Sequence, residues 1–208
     1  MVEMVEMVEM VETVERRTKV VRVAILGAES SGKSTLARAL AARHDSLWVP
    51  EFLREFVDTR RRVPHEEEQF LIASTQLQRE EMVAQQLQQQ PQQSPQQQQQ
   101  PPQQRSSCRF LFCDTTPLMT ALYSRCYFAR IDPDLEQLAS RHAYDLTVVT
   151  APDGPWVADG LQRESAEMRQ QIYRQLLQEL DARAISFLQV EGTLQQRLLQ
   201  VEPLLASF

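Results

Sequence analysis

The sequence predicts an α/β fold, with five parallel strands in one sheet and helices on both faces. Three observations predict it. Apolar, β-branched runs alternate with helix-forming stretches from about residue 20 onward, the pattern of right-handed strand–helix–strand units. The first such run ends at Gly27-Ala28-Glu29-Ser30-Ser31-Gly32-Lys33-Ser34, a G-x-x-x-x-G-K-S pattern with a strand before it and a helix after it. A later run, residues 109–113, is apolar and ends in Asp114, so an acid stands at the carboxyl edge of the sheet, where open α/β sheets place ligands.

Taken in order, residues 20–26 (Val-Val-Arg-Val-Ala-Ile-Leu) suit a buried parallel strand. Residues 35–43 are rich in strong helix formers. His44-Asp45-Ser46 connects to a short strand, Leu47-Trp48-Val49, which Pro50 ends. Residues 66–87 read as a long helix, with Phe70, Ser74, Leu77 and Glu81 near one face and Leu71 and Ile72 beside it. That helix runs into residues 85–104, almost all Gln and Pro, which cannot bury enough apolar surface to order themselves. Residues 109–113 are the third strand. Pro117 opens a helix to Phe128, and Asp132 is placed to cap the next, 134–142. Residues 146–150 form the fourth strand, 164–183 a helix, 185–190 the fifth strand and 193–205 a closing helix.

Residues 1–18 are a low-complexity tail in which Met-Val-Glu repeats four times, and Met4, Met7 and Met10 are alternative starts. Residues 19–208 are one α/β domain, interrupted by the Gln/Pro-rich insertion at about 85–105. The net charge of −6 owes five acids to the tail, at positions 3, 6, 9, 12 and 15. The remainder is near neutral, which gives no basis for nucleic-acid or membrane attraction. Three cysteines without metal-ligand spacing fit a reduced, cytoplasmic protein. No stretch approaches the roughly 18 apolar residues of a membrane span.

The G-x-x-x-x-G-K-S spacing has a chemical reason. Gly27 and Gly32 permit backbone angles closed to other residues and let the chain approach phosphate. The intervening N–H groups form an anion nest, and the helix start adds partial positive charge. Gly27, Glu29, Ser30, Ser31, Gly32, Lys33, Ser34 and Thr35 are therefore the expected contacts of ATP, with Lys33 on the β- and γ-phosphates. Ser34 and Asp114 are the expected Mg²⁺ ligands, Asp114 as a Walker B carboxylate or an N-cap of the next helix. Glu51, Arg54 and Glu55 form a second cluster, past the second strand. A small-molecule kinase needs a carboxylate near the acceptor hydroxyl and a cation for developing phosphoryl charge. Glu51 and Glu55 are candidate substrate contacts, and Glu51 and Arg54 candidate catalytic groups alongside Lys33 and Asp114. For Glu55 a surface ion pair is an equal alternative. A third cluster follows the fourth strand. There Arg163, and beyond it Arg169, are placed to reach phosphate, while Trp156 offers a ring face and Asp159 a polar contact to substrate.

The loop, the block Glu51-Phe52-Leu53-Arg54-Glu55-Phe56-Val57, then Cys113-Asp114-Thr115, then Trp156-Val157-Ala158-Asp159-Gly160-Leu161 occur in that order. Together they resemble the ribosylnicotinamide kinase domain at the C-terminus of bacterial NadR proteins, a P-loop kinase among AAA-like ATPases, over residues 20–201. The resemblance implies ATP-dependent phosphorylation of the 5′-hydroxyl of nicotinamide riboside to nicotinamide mononucleotide, a step of NAD biosynthesis. It implies that Gly32, Lys33 and Ser34 hold ATP and Mg²⁺, that Asp114 acts at the metal or the hydroxyl, and that Trp156 stacks on the nicotinamide ring. The family's DNA-binding and adenylyltransferase parts have no counterpart here, and no H-x-G-H pattern occurs. The Gln/Pro insertion is foreign to the family pattern. Two alternatives stay open: an ATP-binding regulatory module, and a kinase for another nucleoside. The partner expected is a small-molecule nucleoside, and which carboxylate meets its hydroxyl is left open.

Overall fold

The computed structural model of the protein describes residues 19–89, 108–154 and 165–208. Strand β1 (Lys19–Leu26) leads through the glycine loop to α1 (Lys33–Arg43). Then come β2 (Leu47–Val49), α2 (Phe52–Arg60), a 3₁₀ turn (Glu66–Glu68) and α3 (Gln69–Gln89). After residue 107 follow β3 (Cys108–Asp114), α4 (Pro117–Phe128), α5 (Pro133–Ser140) and β4 (Leu146–Thr150). The chain ends with α6 (Ala166–Ala182), β5 (Leu188–Val190) and α7 (Leu194–Leu205).

The five strands form one parallel sheet in the order β2-β3-β1-β4-β5. This is the expected α/β class. The first strand in the chain is the middle strand of the sheet, so the glycine loop leaves from the centre of its carboxyl edge. Alternation along β1 divides its side chains between two cores. Val21, Val23 and Ile25 pack with Leu36 and Leu40 of α1 and with Leu198, Val201 and Leu205 of α7. Ala24 and Leu26 pack on the other face with Leu118 and Leu122 of α4 and with Ile172 and Leu176 of α6. Each fully buried Leu or Ile contributes about 1.5–3 kcal/mol, and the two layers hold β1 from both sides.

Most elements lie where the sequence predicts them. Asp132 caps α5, accepting from the backbone N–H of Asp134 at 2.7 Å and of Leu135 at 3.3 Å. Strand β5 is shorter than the expected 185–190. Helix α3 differs in two ways. It continues to Gln89, inside the stretch expected to be unstructured from residue 85, because Leu87 packs with Leu111 and Cys113 of β3 and its carbonyl accepts from Arg109 at 3.1 Å. Its buried face is also not the one the apolar letters mark. Gln69, Ile72, Ala73, Gln76, Glu80, Ala84 and Leu87 point inward, while Phe70 and Leu71 are exposed. The inward set has helical spacing, but three of its seven members are Gln or Glu, so hydrophobicity alone misplaces the stripe. Among the described residues, no helix is long and apolar enough to cross a membrane.

Candidate active site

The site starts at the glycine loop, whose backbone is fixed by its neighbours. Gly27 has φ +147°, and a Cβ there would stand 2.7 Å from Ser31 Oγ and 2.8 Å from the Thr150 carbonyl, besides striking Thr150 Oγ1. Thr150, last in β4, donates to the Leu26 carbonyl at 3.1 Å and shares a 2.6 Å hydrogen bond with Ser31 Oγ. Ser31 Oγ also lies 2.7 Å from the Ala28 carbonyl, and Lys33 Nζ donates to that carbonyl at 3.0 Å.

Helix α1 begins in an unusual way. Its N-cap is Gly32, at φ +88°, with no side-chain cap and no acid in the first turn. Helix starts ordinarily attract a capping oxygen and acidic neighbours. A lysine and a bare set of N–H groups there make an anion-binding end.

Two buried arginines grip the loop from outside, and sequence reasoning missed one of them. Arg197 of α7 donates to the Ser31 carbonyl, to the Ala151 carbonyl at 3.1 Å, to the Gly192 carbonyl at 3.0 Å and to Asp153. Arg169 of α6 donates to the Gly154 carbonyl at 3.0 Å and to the Ser30 carbonyl at 3.5 Å. Arg169 was expected to reach phosphate; its guanidinium instead binds loop carbonyls in a buried position.

Asp114 ends β3 beside the loop and is 1% exposed. It does not cap α4, whose N-cap is Thr116. Burial, reinforced by the charge of Glu51, pushes its carboxyl up to about 6, against the pull of Lys33, a hydrogen bond with Ser34, and Arg54. Its Oδ1 is buried without a hydrogen-bond partner. An orphaned carboxylate oxygen of this kind wants a cation. Ser34 and Asp114 thus fit Mg²⁺, which characteristically binds through one or two protein oxygens and completes its shell with water and phosphate. Among the described residues, no three His, Cys, Asp or Glu side chains cluster to form a metal cage of their own.

Thr115 follows in a left-handed conformation, φ +74°, which is strained for a β-branched residue. Its N–H donates to the Ile25 carbonyl at 3.1 Å and its hydroxyl to Glu51 Oε1 at 3.3 Å. The turn therefore ties Glu51 to the Asp114 strand end. Tyr123 of α4 lies near two acids: burial, with the charges of Glu29 and Glu51, holds its ionisation well above the ordinary phenol range. Nothing in the sequence marks out Tyr123, which is one of three aromatics on its helix.

The structure thus brings together Gly27, Glu29, Ser30, Ser31, Gly32, Lys33, Ser34, Thr35, Glu51 and Asp114, with Arg54 near enough for its charge to act on Asp114. Glu55 is placed differently. It is exposed, and both its oxygens accept from Arg79 of α3, at 2.6 and 2.9 Å. Trp156, Asp159 and Arg163 lie outside the described residues.

Comparison with known proteins agrees with this fold. The family model AAA_28, described as an AAA domain, matches residues 22–197. The chain is 27% identical over 170 residues to the trifunctional NAD biosynthesis/regulator protein NadR of Escherichia coli (strain K12), covering 81% of this chain and 38% of that relative. A crystal structure of NadR protein in complex with NR superposes with a TM-score of 0.63 at 20% identity, over 85% of this chain and 46% of that one. One of NadR with NAD and AMP-PNP gives 0.64 at 18% identity, over 92% and 50%. The chain therefore spans about two fifths to one half of the proteins it matches.

Proposed function

The chain belongs to the AAA domain family AAA_28, and from that premise we propose that it is a phosphotransferase that uses Mg-ATP to phosphorylate the 5′-hydroxyl of nicotinamide riboside. The observation that carries the proposal is the buried Asp114 carboxylate, which stands between the phosphate loop and Glu51. A binding module needs the loop. A transferase also needs an acidic group between the donor's phosphates and an acceptor. The ligands of the NadR structures, NR and AMP-PNP, supply the acceptor and donor for the proposal.

In this reading the N–H groups of the loop and of the α1 start hold the β- and γ-phosphates, with Lys33 as the mobile cation. Ser34 and Asp114 would hold Mg²⁺, which would supply positive charge against the transferred group. Glu51 faces the acceptor. The nucleoside oxygen attacks the γ-phosphorus in line, the bond to ADP breaks, and the hydroxyl proton passes to a carboxylate of the Glu51–Asp114 pair. Arg54 adds positive charge at that edge. Such a site works chiefly by position, and holding two reactants in line supplies up to about 7–11 kcal/mol of the barrier reduction.

The test is direct. The protein is incubated with Mg-ATP and a panel of nucleosides that includes nicotinamide riboside, and ADP and phosphorylated product are measured. Nicotinamide riboside is expected to give the highest kcat/KM. Lys33→Ala is expected to abolish turnover with the circular dichroism spectrum unchanged. ATP binding without phosphorylation of any nucleoside refutes the proposal; faster turnover of another nucleoside refutes the acceptor.

A further inference from the structure

Glu51 is the N-cap residue of α2, yet its side chain makes no capping bond. Its carboxylate accepts from Thr115 instead. The capping role is taken from outside the helix. Gln76 of α3 accepts, through Oε1, from the backbone N–H of Phe52 at 2.9 Å. Gln76 is 3% exposed. Its amide is oriented by a second bond, from Nε2 to Glu80 Oε1 at 3.2 Å. Glu80 is 0% exposed, and its other oxygen accepts from Tyr144 Oη at 2.7 Å.

These bonds form a path. From Tyr144, just before β4, it runs through Glu80 and Gln76 to the start of α2, and through Glu51 and Thr115 to the end of β3. The apolar contact between the two helices, Phe56 and Val57 of α2 on Ile72 of α3, would serve stability without it. A buried polar pair is weak evidence for stability, since apolar residues of similar volume commonly do as well. What the pair adds is a fixed position for one backbone N–H.

We propose that Gln76, oriented by Glu80, is a positioning residue for the phosphoryl acceptor: it caps α2 so that the Glu51 carboxylate is free to turn toward the acceptor hydroxyl. The proposal rests on the kinase reading for the identity of the acceptor and on geometry alone for the cap. Removal of Gln76 leaves the Phe52 N–H unpaired and lets the start of α2 shift, carrying the adjoining Glu51 carboxylate off the acceptor. The donor side, built on α1 and β1, is untouched.

The experiment uses the full chain with three changes: Gln76→Leu, Gln76→Glu, and the exchange Gln76→Glu with Glu80→Gln. Gln76→Glu alone sets two carboxylates against each other in a buried site. The exchange restores every bond, because the amide at 80 donates to the carboxylate at 76, which still accepts from Phe52. Two readouts are taken: amide hydrogen exchange along α1 and α2, and the KM values for nicotinamide riboside and for ATP. Gln76→Leu is expected to speed exchange at the Phe52 amide by about tenfold or more, which is the loss of one hydrogen bond. The α1 amides should stay unchanged. The acceptor KM should rise about tenfold, with the ATP KM within about twofold. The exchanged pair should recover both readouts relative to Gln76→Glu, even if either single variant folds poorly. Equal effects on acceptor and ATP, or an exchanged pair no better than Gln76→Glu, overturn the proposal. A wild-type protein that phosphorylates no nucleoside overturns the acceptor role and the kinase reading together, while the Phe52 amide decides the cap on its own.

Discussion

Glu80 makes the stability of this protein depend on pH in a calculable way. Its carboxyl is pushed up to about 7 from an ordinary 4.5, because burial outweighs the bonds from Tyr144 and Gln76 and the nearby charge of Arg22. Arg22 is itself paired with Glu81. Between those two pH values the native state keeps a proton that the unfolded chain releases. Stability therefore falls as pH rises from about 4.5 to about 7, and is level above that. At 1.36 kcal/mol per tenfold in proton affinity, the gap is worth about 3 kcal/mol. Glu80→Gln removes it: the amide oxygen still accepts from Gln76, and the amide nitrogen faces the Tyr144 hydroxyl, which can turn to accept. Urea titrations of both proteins at pH 5 and pH 8 isolate the effect, since every other titrating group is common to the two. With a urea m value of about 2 kcal/mol per molar, and about 2.5 kcal/mol of the gap falling between pH 5 and pH 8, the variant's midpoint should gain about 1.2 M on the wild type over that range. A midpoint difference that is the same at both pH values would refute the reasoning, because Glu80 would then carry the same charge in the folded and unfolded chain across that range.

Two further outcomes follow from the phosphate loop. Gly27→Ala sets a methyl against the Thr150 carbonyl, which is backbone and cannot step aside, so AMP-PNP affinity measured by calorimetry should drop by about a hundredfold or more; affinity within threefold of wild type counts against the loop geometry. Arg197→Ala leaves the Ser31 and Ala151 carbonyls without its guanidinium and Asp153 without its ion-pair partner, and should destabilise the fold by about 3–5 kcal/mol in urea, whereas a loss below about 1 kcal/mol would show that the clamp is dispensable.

The phosphate-loop half of the candidate site was legible in the sequence because it is local. Gly27, Gly32, Lys33 and Ser34 are close in sequence, and their conformations follow from their own chemistry. Asp114 was legible because β3 is apolar up to the residue where it ends. The strand order was not, since parallel neighbours are set by crossovers rather than by adjacent residues. Gln76 and Glu80 were not legible either. Along α3 the same letters, Gln and Glu, stand at buried and exposed positions alike, and only packing against Tyr144 and Cys113 separates them. Arg197 looks in sequence like any solvated arginine on a closing helix. The Glu55–Arg79 pair was half legible, as the surface alternative, because its partner lies on a different helix.

The Arg197 bond to the Ser31 carbonyl joins residues 166 positions apart. During synthesis the phosphate loop emerges early, while the guanidinium that fixes it arrives only with α7. The order of manufacture thus runs opposite to the order of completion: the middle strand of the sheet is made first and finished last. A gene fragment or premature stop that preserves every letter of G-x-x-x-x-G-K-S but ends before residue 197 encodes the motif without the clamp. In this chain, an intact signature near the start is not sufficient evidence of an intact nucleotide site.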